Sequence, residues 1–344
     1  MTSTKTTPGS SSSTETVAAA CSSSGPTSSG SRCSPDRVCL IVNPRAGAGR
    51  AGRQLRGLRR RLEAAGLELD LRLTGDPLEA TLLARSAYVE GHRAFLAAGG
   101  DGTAFEVLNG ALAPAIDDGA AISFGVLPLG TGNSWTRSFE PAGTHGGWRQ
   151  GVEQTLRRLV EGRPRRLDVL RASTDRGDLY ALSFVAFGLS SRVADLCNRR
   201  LKRLGNLGYQ LGAALCALRP NAEPLEIVLR RGGRVDAWRG EVVTAGFHNV
   251  SLFGGALPIA PPADPTDGLL DGVLVERIGR FELLRTLPSL RTGEHMGHPA
   301  VRHLRAQRVE LQQRVERDVQ LDGEVRRLVL ESVEVLPAVA EFWI

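Results

Sequence analysis

Three glycine-rich turns carry the residue types that could do chemistry in this chain. They are Asn43-Pro44-Arg45-Ala46-Gly47-Ala48-Gly49, Gly99-Gly100-Asp101-Gly102-Thr103 and Pro128-Leu129-Gly130-Thr131-Gly132-Asn133. Glycine lets the backbone come close to a ligand, and successive N–H groups at a helix start bind phosphate oxygens. One such turn is explained as readily by turn geometry alone. Three at successive strand ends converge on one sheet edge and imply a phosphate-rich ligand. Asp101 is costly inside such a turn unless it meets a cation or a donor. No Gly-Lys-Ser/Thr occurs, and Lys5 and Lys202 are the only lysines, which excludes a P-loop. Cationic help to phosphates must therefore come from arginine, a metal or backbone N–H groups.

The elements that must hold these turns follow from periodicity. Val38–Val42, Leu67–Leu73, Ala94–Ala98 and Ile122–Leu127 read as strands. Helical spacing runs through Leu55, Leu58, Leu62 and Ala65, through Leu78–Val89, and from Glu106 to Leu112. Alternation of this kind gives an α/β N-terminal domain with a parallel sheet, its ligands outside the carboxyl ends of the strands. After about residue 164 the texture changes. Leu167–Ala172, Leu179–Phe187, Leu225–Leu229, Glu241–Asn249, Gly272–Glu276, Val309–Leu311 and Val319–Leu321 read as strands of a mainly antiparallel β-sandwich second domain. A helical insertion at Val193–Leu218 interrupts them. The expected boundaries are a disordered tail at 1–35, an α/β domain at 36–163 and a β-rich domain at 164–327. A strand within 328–344, read at Leu328–Leu336, is open to returning to the first domain.

At 344 residues the chain exceeds what one hydrophobic core usually supports. Hydrophobic residues make up 42% and charged residues 23%, with no apolar run long enough to span a membrane. Five cysteines (Cys21, Cys33, Cys39, Cys197, Cys216) show neither metal-ligand spacing nor even number, which favours a reduced cytoplasmic setting. The tail is rich in Ser, Thr and Gly, and a cleaved targeting segment is its alternative reading. The net charge of +6 suits an anionic membrane surface or nucleic acid, and equally a bias toward arginine codons. In the insertion, Arg199, Arg200, Lys202 and Arg203 beside Leu201, Leu204, Leu207 and Leu211 would make a basic, apolar helix suited to peripheral contact with an anionic bilayer, or a solvated face. His145, His295, His298 and His303 read as surface residues.

Gly99-Gly100-Asp101-Gly102-Thr103, followed by Glu106-Val107-Leu108-Asn109-Gly110, resembles the nucleotide loop of the diacylglycerol kinase catalytic family. That family includes soluble bacterial lipid kinases and the sphingosine and ceramide kinases. Asn43-Pro44 with Gly47 and the Pro128–Asn133 turn resemble its other two loops. Asn249, Gly254-Gly255, Ile259-Ala260-Pro261 and Asp267–Gly272 are similar to its second-domain signature, and Leu321-Asp322-Gly323-Glu324 to its late Asp-Gly-Glu motif.

The resemblance implies ATP-dependent transfer of a phosphoryl group to a lipid hydroxyl, with ATP and Mg2+ as cofactors. It implies an ATP site lined by Asn43, Thr74, Gly99, Gly100, Asp101, Gly102, Thr103, Glu106, Gly130, Thr131 and Asn133. Glu324 would be the general base, with Asp101 acting through magnesium and the phosphates. A structural magnesium site would map to Asp264, Asp267 and the backbone of Leu269, where ordinary turn chemistry is the alternative. Ala46, Phe105 and Ser134 depart from the family pattern, which has serine, often asparagine, and aspartate there. The expected partners are ATP and a lipid alcohol, with no nucleic acid; the oligomeric state is not legible. Two rivals stay open: an NAD kinase, which shares the Gly-Gly-Asp-Gly-Thr loop, and a catalytically silent lipid-binding protein of the same fold.

Overall fold

Strand β1 (Arg37–Val42) is buried at every position after the first, as the unbroken apolar run Val38–Val42 requires. In this computed structural model, which describes residues 37–140, 147–201, 205–254 and 257–344, that strand sits inside a four-stranded parallel layer. Helix α1 (Ala46–Ala64), β2 (Glu68–Leu73), α2 (Glu79–Val89) and β3 (Ala94–Gly99) follow. Then come α3 (Asp101–Asp117), β4 (Ser123–Pro128), a single turn α4 (Ser134–Arg137) and α5 (Gly147–Glu161). The strand order is β2-β1-β3-β4, all parallel, so the three glycine turns leave adjacent carboxyl ends.

The second half begins with β5 (Arg165–Thr174), β6 (Gly177–Ala181) and β7 (Phe184–Gly188). Helix α6 (Leu189–Leu196), a π turn at Cys197–Leu201 and α7 (Gly205–Ala217) form the insertion. Strands β8 (Glu223–Arg231), β9 (Arg234–His248), β10 (Leu252–Phe253), β11 (Leu257–Pro258) and β12 (Leu270–Glu276) continue the chain. Helix α8 (Arg280–Thr286) and two 3-10 turns lead to β13 (Val301–Ala306), β14 (Arg308–Leu311), β15 (Glu316–Leu321) and β16 (Glu324–Trp343). Pairing among these strands is antiparallel, giving the sandwich-like second layer.

The 20-residue strand β16 joins the two halves. Its start pairs with β15, its middle with β5 and β14, and its end runs parallel to β4 with Glu341, Phe342 and Trp343 opposite Ser123, Phe124 and Gly125. Phe342 and Trp343 are fully buried there.

Four expectations need correction. Helix α3 starts at Asp101 rather than Glu106, so the Gly-Gly-Asp-Gly-Thr motif is itself the first helical turn. Leu179–Phe187 is two strands, because the N–H groups of Leu182, Ser183 and Phe184 turn to the Asp322 carboxylate and leave the ladder. The Val193–Leu218 insertion is α6, a π turn and α7 rather than one helix; Arg199 and Arg200 fall in the π turn, and Arg199 pairs with Asp195. His295 is buried, its Nε2 at 3.0 Å from the Ile259 carbonyl. The expected tail at 1–35, Lys202, Arg203, Leu204, His145 and Gly255 lie outside the described residues, as do the side chains of Leu201 and Leu207.

Candidate functional site

The three turns touch one another, and glycine is what permits it. Gly47 has φ +59° and would place a Cβ 2.1 Å from the Leu129 carbonyl oxygen, while Arg50 Nη1 donates to the Gly130 carbonyl at 3.2 Å. Gly130 packs so tightly on Gly100 that a Cβ would lie 2.4 Å from its Cα. Asn133, also left-handed at φ 53°, donates Nδ2 to the carbonyls of Pro128 and Gly130 and staples its own loop.

Two carboxylates of α3 serve neighbouring helix starts. Asp101 Oδ2 accepts the Ser134 N–H at 3.2 Å. Burial pushes this carboxyl above its ordinary range against the opposing pull of the Ser134, Trp135 and Asn133 N–H groups. Glu106 accepts the N–H groups of Leu78 and Ala80, both at 3.2 Å, at the start of α2. Its carboxyl is also raised, first by desolvation and further by the nearby charge of Glu324. Ser134, where the family pattern has aspartate, thus contributes its backbone to Asp101.

With those acids turned aside, the first N–H groups of α3 carry no side-chain cap. The start of a 17-residue helix presents unpaired donors and positive potential, which suits an anion. Glu324 faces this start directly: a Cβ on Gly102 would stand 2.5 Å from Glu324 Oε1. Residues far apart in sequence, Gly102 on α3 and Glu324 on β16, are therefore neighbours. Thr103 is buried beneath Gly99, Thr131 is exposed, and Thr74 is buried with its N–H on the Val42 carbonyl at 2.9 Å. Asn43 holds its loop, with Oδ1 accepting the Arg45 N–H.

Sequence reasoning missed two residues beside Glu324. Asp322, left-handed at φ 49°, accepts the N–H groups of Leu182, Ser183 and Phe184 at 2.6, 2.7 and 3.1 Å. Burial raises it to about 6 against those three donors, and the charge of Asp101 adds to the rise. Arg326 lies two residues past Glu324 on the same face of β16, with its guanidinium 5.3 Å from the centre of the Phe105 ring. That ring explains Phe105: it is the platform for a cation beside the turn. Period-two alternation from Glu324 was the available signal for Arg326.

The residues expected to hold structural magnesium do not fit a cation as they stand. Asp264 Oδ1 accepts from the Thr266 N–H and hydroxyl, and Asp267 Oδ1 accepts the Leu269 N–H at 2.9 Å, both ordinary Asx turns. The other oxygen of Asp267 is taken by the Arg305 guanidinium. Asp168, buried nearby, ties the same loop to β16 by accepting the Gly268 and Ala338 N–H groups. Among the described residues, the one group of three metal-ligating side chains within reach of each other is Asp70, Glu90 and His92. It lies at β2 and α2, away from the turns, with the Arg72 guanidinium bonded to both carboxylates.

A second concavity lies in the β-rich half. Strands β7, β9 and β12 form its floor, and α6, α7, α8 and the 3-10 turns its roof. It leaves about 930 Å³ unfilled, counted out to its mouth, and its walls are overwhelmingly apolar. Such a chamber suits hydrocarbon. The floor is continuous with the site, because β7 pairs with both β15 and β9.

Comparison with known proteins agrees with this geometry. Residues 37–172 match the family model described as diacylglycerol kinase catalytic domain. Residues 183–343 match the YegS C-terminal NAD kinase beta sandwich-like domain. A diacylglycerol kinase of Mycobacterium tuberculosis is 30% identical over 279 residues, covering 80% of this chain and 85% of the relative. A diacylglycerol kinase of Bacillus subtilis (strain 168) is 26% identical over 289 residues, covering 84% and 89%. A solved chain from Bacillus anthracis str. Sterne, provisionally assigned as a diacylglycerol kinase, superposes with a TM-score of 0.71. It has 22% identity and covers 92% of this chain and 97% of that one.

Proposed function

The chain belongs to the diacylglycerol kinase family and is a lipid kinase, and from that premise we propose that it moves the γ-phosphoryl group of ATP to a hydroxyl of a lipid alcohol at the junction of Gly102 and Glu324. The observation that carries this reading is the approach of the Glu324 carboxylate to the uncapped start of α3, where a Cβ on Gly102 would be 2.5 Å from Oε1. A carboxylate on this spot can take the acceptor proton while helix N–H groups hold phosphate oxygens. Arg326, two residues on, is positioned to offset phosphate charge, the role left open by the missing P-loop lysine. Magnesium accompanying the nucleotide supplies further charge neutralisation, since phosphoryl transfer depends on positioning and electrostatics more than on covalent chemistry. Asp101 and Glu106 act as positioning residues, because their oxygens hold the loop of Ser134 and the start of α2.

The apolar chamber supports a lipid acceptor over NAD, whose polar surface it cannot satisfy. Its roof also supports contact with a bilayer. Leu211, Leu215 and Leu218 on and just after α7 are 47%, 48% and 48% exposed, and Phe281 on α8 is 66% exposed. Arg219, Arg280, Arg285 and Arg291 in the same stretches of chain are exposed too, with Arg280 over the Phe281 ring, and so is Glu282. Exposed apolar side chains in arginine-rich segments suit an anionic lipid surface. Among the described residues, no helix is long and apolar enough to cross a membrane.

The test is purified protein with labelled ATP and, as acceptors, diacylglycerol, a sphingoid base, ceramide, phosphatidylglycerol and NAD. Lipid phosphorylation that falls by about 10²–10⁴-fold in Glu324→Gln is the expected result. Normal turnover by that variant would remove the role of Glu324. Phosphorylation of NAD in place of every lipid would return the NAD kinase reading, and no turnover at all the silent one.

A further inference from the structure

Six polar side chains border the apolar chamber: Ser190, Thr244, His248, Thr286, His295 and His298. Five have partners within the fold. Thr244 Oγ1 donates to the Phe187 carbonyl at 2.8 Å, and Ser190 Oγ lies 3.1 Å from it. Thr286 donates to the Glu282 carbonyl, His295 Nε2 meets the Ile259 carbonyl and His298 Nδ1 accepts the Ala300 N–H. Among the described residues His248 has no hydrogen-bond partner. It is 2% exposed, its ring tilted against Phe184 and Phe253 at centroid distances of 5.8 and 6.4 Å. Nδ1 is buried and unpaired, while Nε2 reaches over Gly246 on the chamber floor, where a Cβ would sit 2.5 Å from it.

A neutral imidazole carries one N–H donor and one lone pair; with Nδ1 enclosed, Nε2 over Gly246 is the ring nitrogen that a molecule in the chamber can meet. Burial, with the neighbouring His295 adding to it, depresses this ring to about 3, so it stays neutral in the working range. A neutral donor set in an otherwise hydrocarbon wall selects for an uncharged oxygen acceptor. The strand register says where that oxygen lies. His248 pairs with Phe184, whose N–H is held by Asp322, two residues before Glu324. Two strand spacings, about 10 Å, separate His248 from that turn. The oxygen therefore lies a few bonds along the acceptor from the hydroxyl that is phosphorylated, where head meets chain.

We propose that His248 is a specificity-determining residue whose Nε2–H donates to the acyl carbonyl linking the acceptor's head to its hydrocarbon chain. The inference rests on the lipid-kinase reading for its orientation. It selects acyl lipids, whether glycerol esters or sphingoid amides, over their counterparts without a carbonyl. Gly246 is the companion requirement, since any side chain there would displace Nε2.

The experiment compares 1,2-diacylglycerol with the chain-matched 1,2-dialkylglycerol, and ceramide with the free sphingoid base, in mixed micelles. Wild type, His248→Phe and His248→Gln are assayed after their thermal unfolding midpoints are measured. Wild type should prefer the acyl member of at least one pair by about tenfold in kcat/KM, expressed mainly in KM. His248→Phe should lose that preference by weakening the acyl lipid alone, and His248→Gln, which keeps a donor, should recover part of it. Which pair responds distinguishes ester from amide. An equal response of wild type to both members of both pairs, or a preference that survives in His248→Phe, overturns the proposal. Equilibrium binding of labelled monoacylglycerol and monoalkylglycerol without ATP separates the two readings. Acyl-selective binding lost in His248→Phe upholds the role of His248 even where no turnover is seen, and binding that ignores the carbonyl refutes it.

Discussion

Asp322 and Glu324 stand two residues apart on one hairpin and meet opposite environments. Asp322 is buried with three backbone donors on its carboxylate, whereas Glu324 is exposed to the site. Replacing Asp322 by Asn puts an amide among N–H groups that need an acceptor, leaving at least one unpaired. Destabilisation by about 1–3 kcal/mol is expected, read by chemical denaturation. The pH dependence has a definite sign. The folded Asp322 sits at about 6 against an ordinary value of 3.8, so the native state binds the proton more tightly than the unfolded chain. Its contribution to stability is full below about pH 4 and is lost as pH rises through 6. That slope should disappear from denaturation curves of Asp322→Asn. The motif around these residues was plain in the sequence, but the division of labour within it was not, because burial depends on β7, well over a hundred residues earlier in the chain. Phe105 is the same case: it reads as a departure until the Arg326 guanidinium is found on its ring.

The start of α3 sets the site more than any other element. Apolar periodicity marked its body from Glu106, yet the helix begins at Asp101, since glycines carry no periodic signal. Gly102 lies within this first turn and is not in the left-handed region, so alanine fits its backbone. Gly102→Ala should therefore leave stability unchanged or raise it by about 0.5–1 kcal/mol, the usual gain of alanine over glycine in a helix. The same Cβ would press on Glu324 Oε1, and turnover should fall by tenfold or more. Thermal melts and steady-state rates on one preparation give both halves of the outcome, and unchanged turnover would dissociate Glu324 from this turn. Gly47 differs: it is left-handed and faces a backbone carbonyl, so Gly47→Ala should destabilise. That β1, β3 and β4 lie in one parallel sheet was legible from alternation, though their order in it was not. The break between β6 and β7 was not, because it depends on the distant Asp322 carboxylate.

Across the whole molecule, β16 makes the halves mechanically one. It carries Glu324 at one end and Trp343 at the other, in register with β4, whose end opens into the third glycine turn. Trp343→Ala, at a fully buried position, should cost about 3–5 kcal/mol. The protein should unfold in one calorimetric transition, and loss of Trp343 should lower its midpoint without splitting it. Two separate transitions would show that the halves are held apart by the sheet rather than coupled through it. A strand within 328–344 was foreseen as open to returning to the first half. Its length was not, because Pro337 and the left-handed Ala338 interrupt the pattern where the strand bends, with the Ala338 N–H held by Asp168.

The placement of β16 also bears on how the protein is made. The four parallel strands of the first half are complete once β4 leaves the ribosome, but β16, the neighbour of β4 on its open side, comes much later in the chain. Until then β4 presents an unpaired edge, the kind of surface that invites pairing with another chain. Glu324, carried by this same strand, reaches the start of α3 only when the strand is in place. Docking of β16 is therefore a single event that both closes the sheet edge and completes the site, and a chain translated only as far as β15 should bind nucleotide before it can transfer anything.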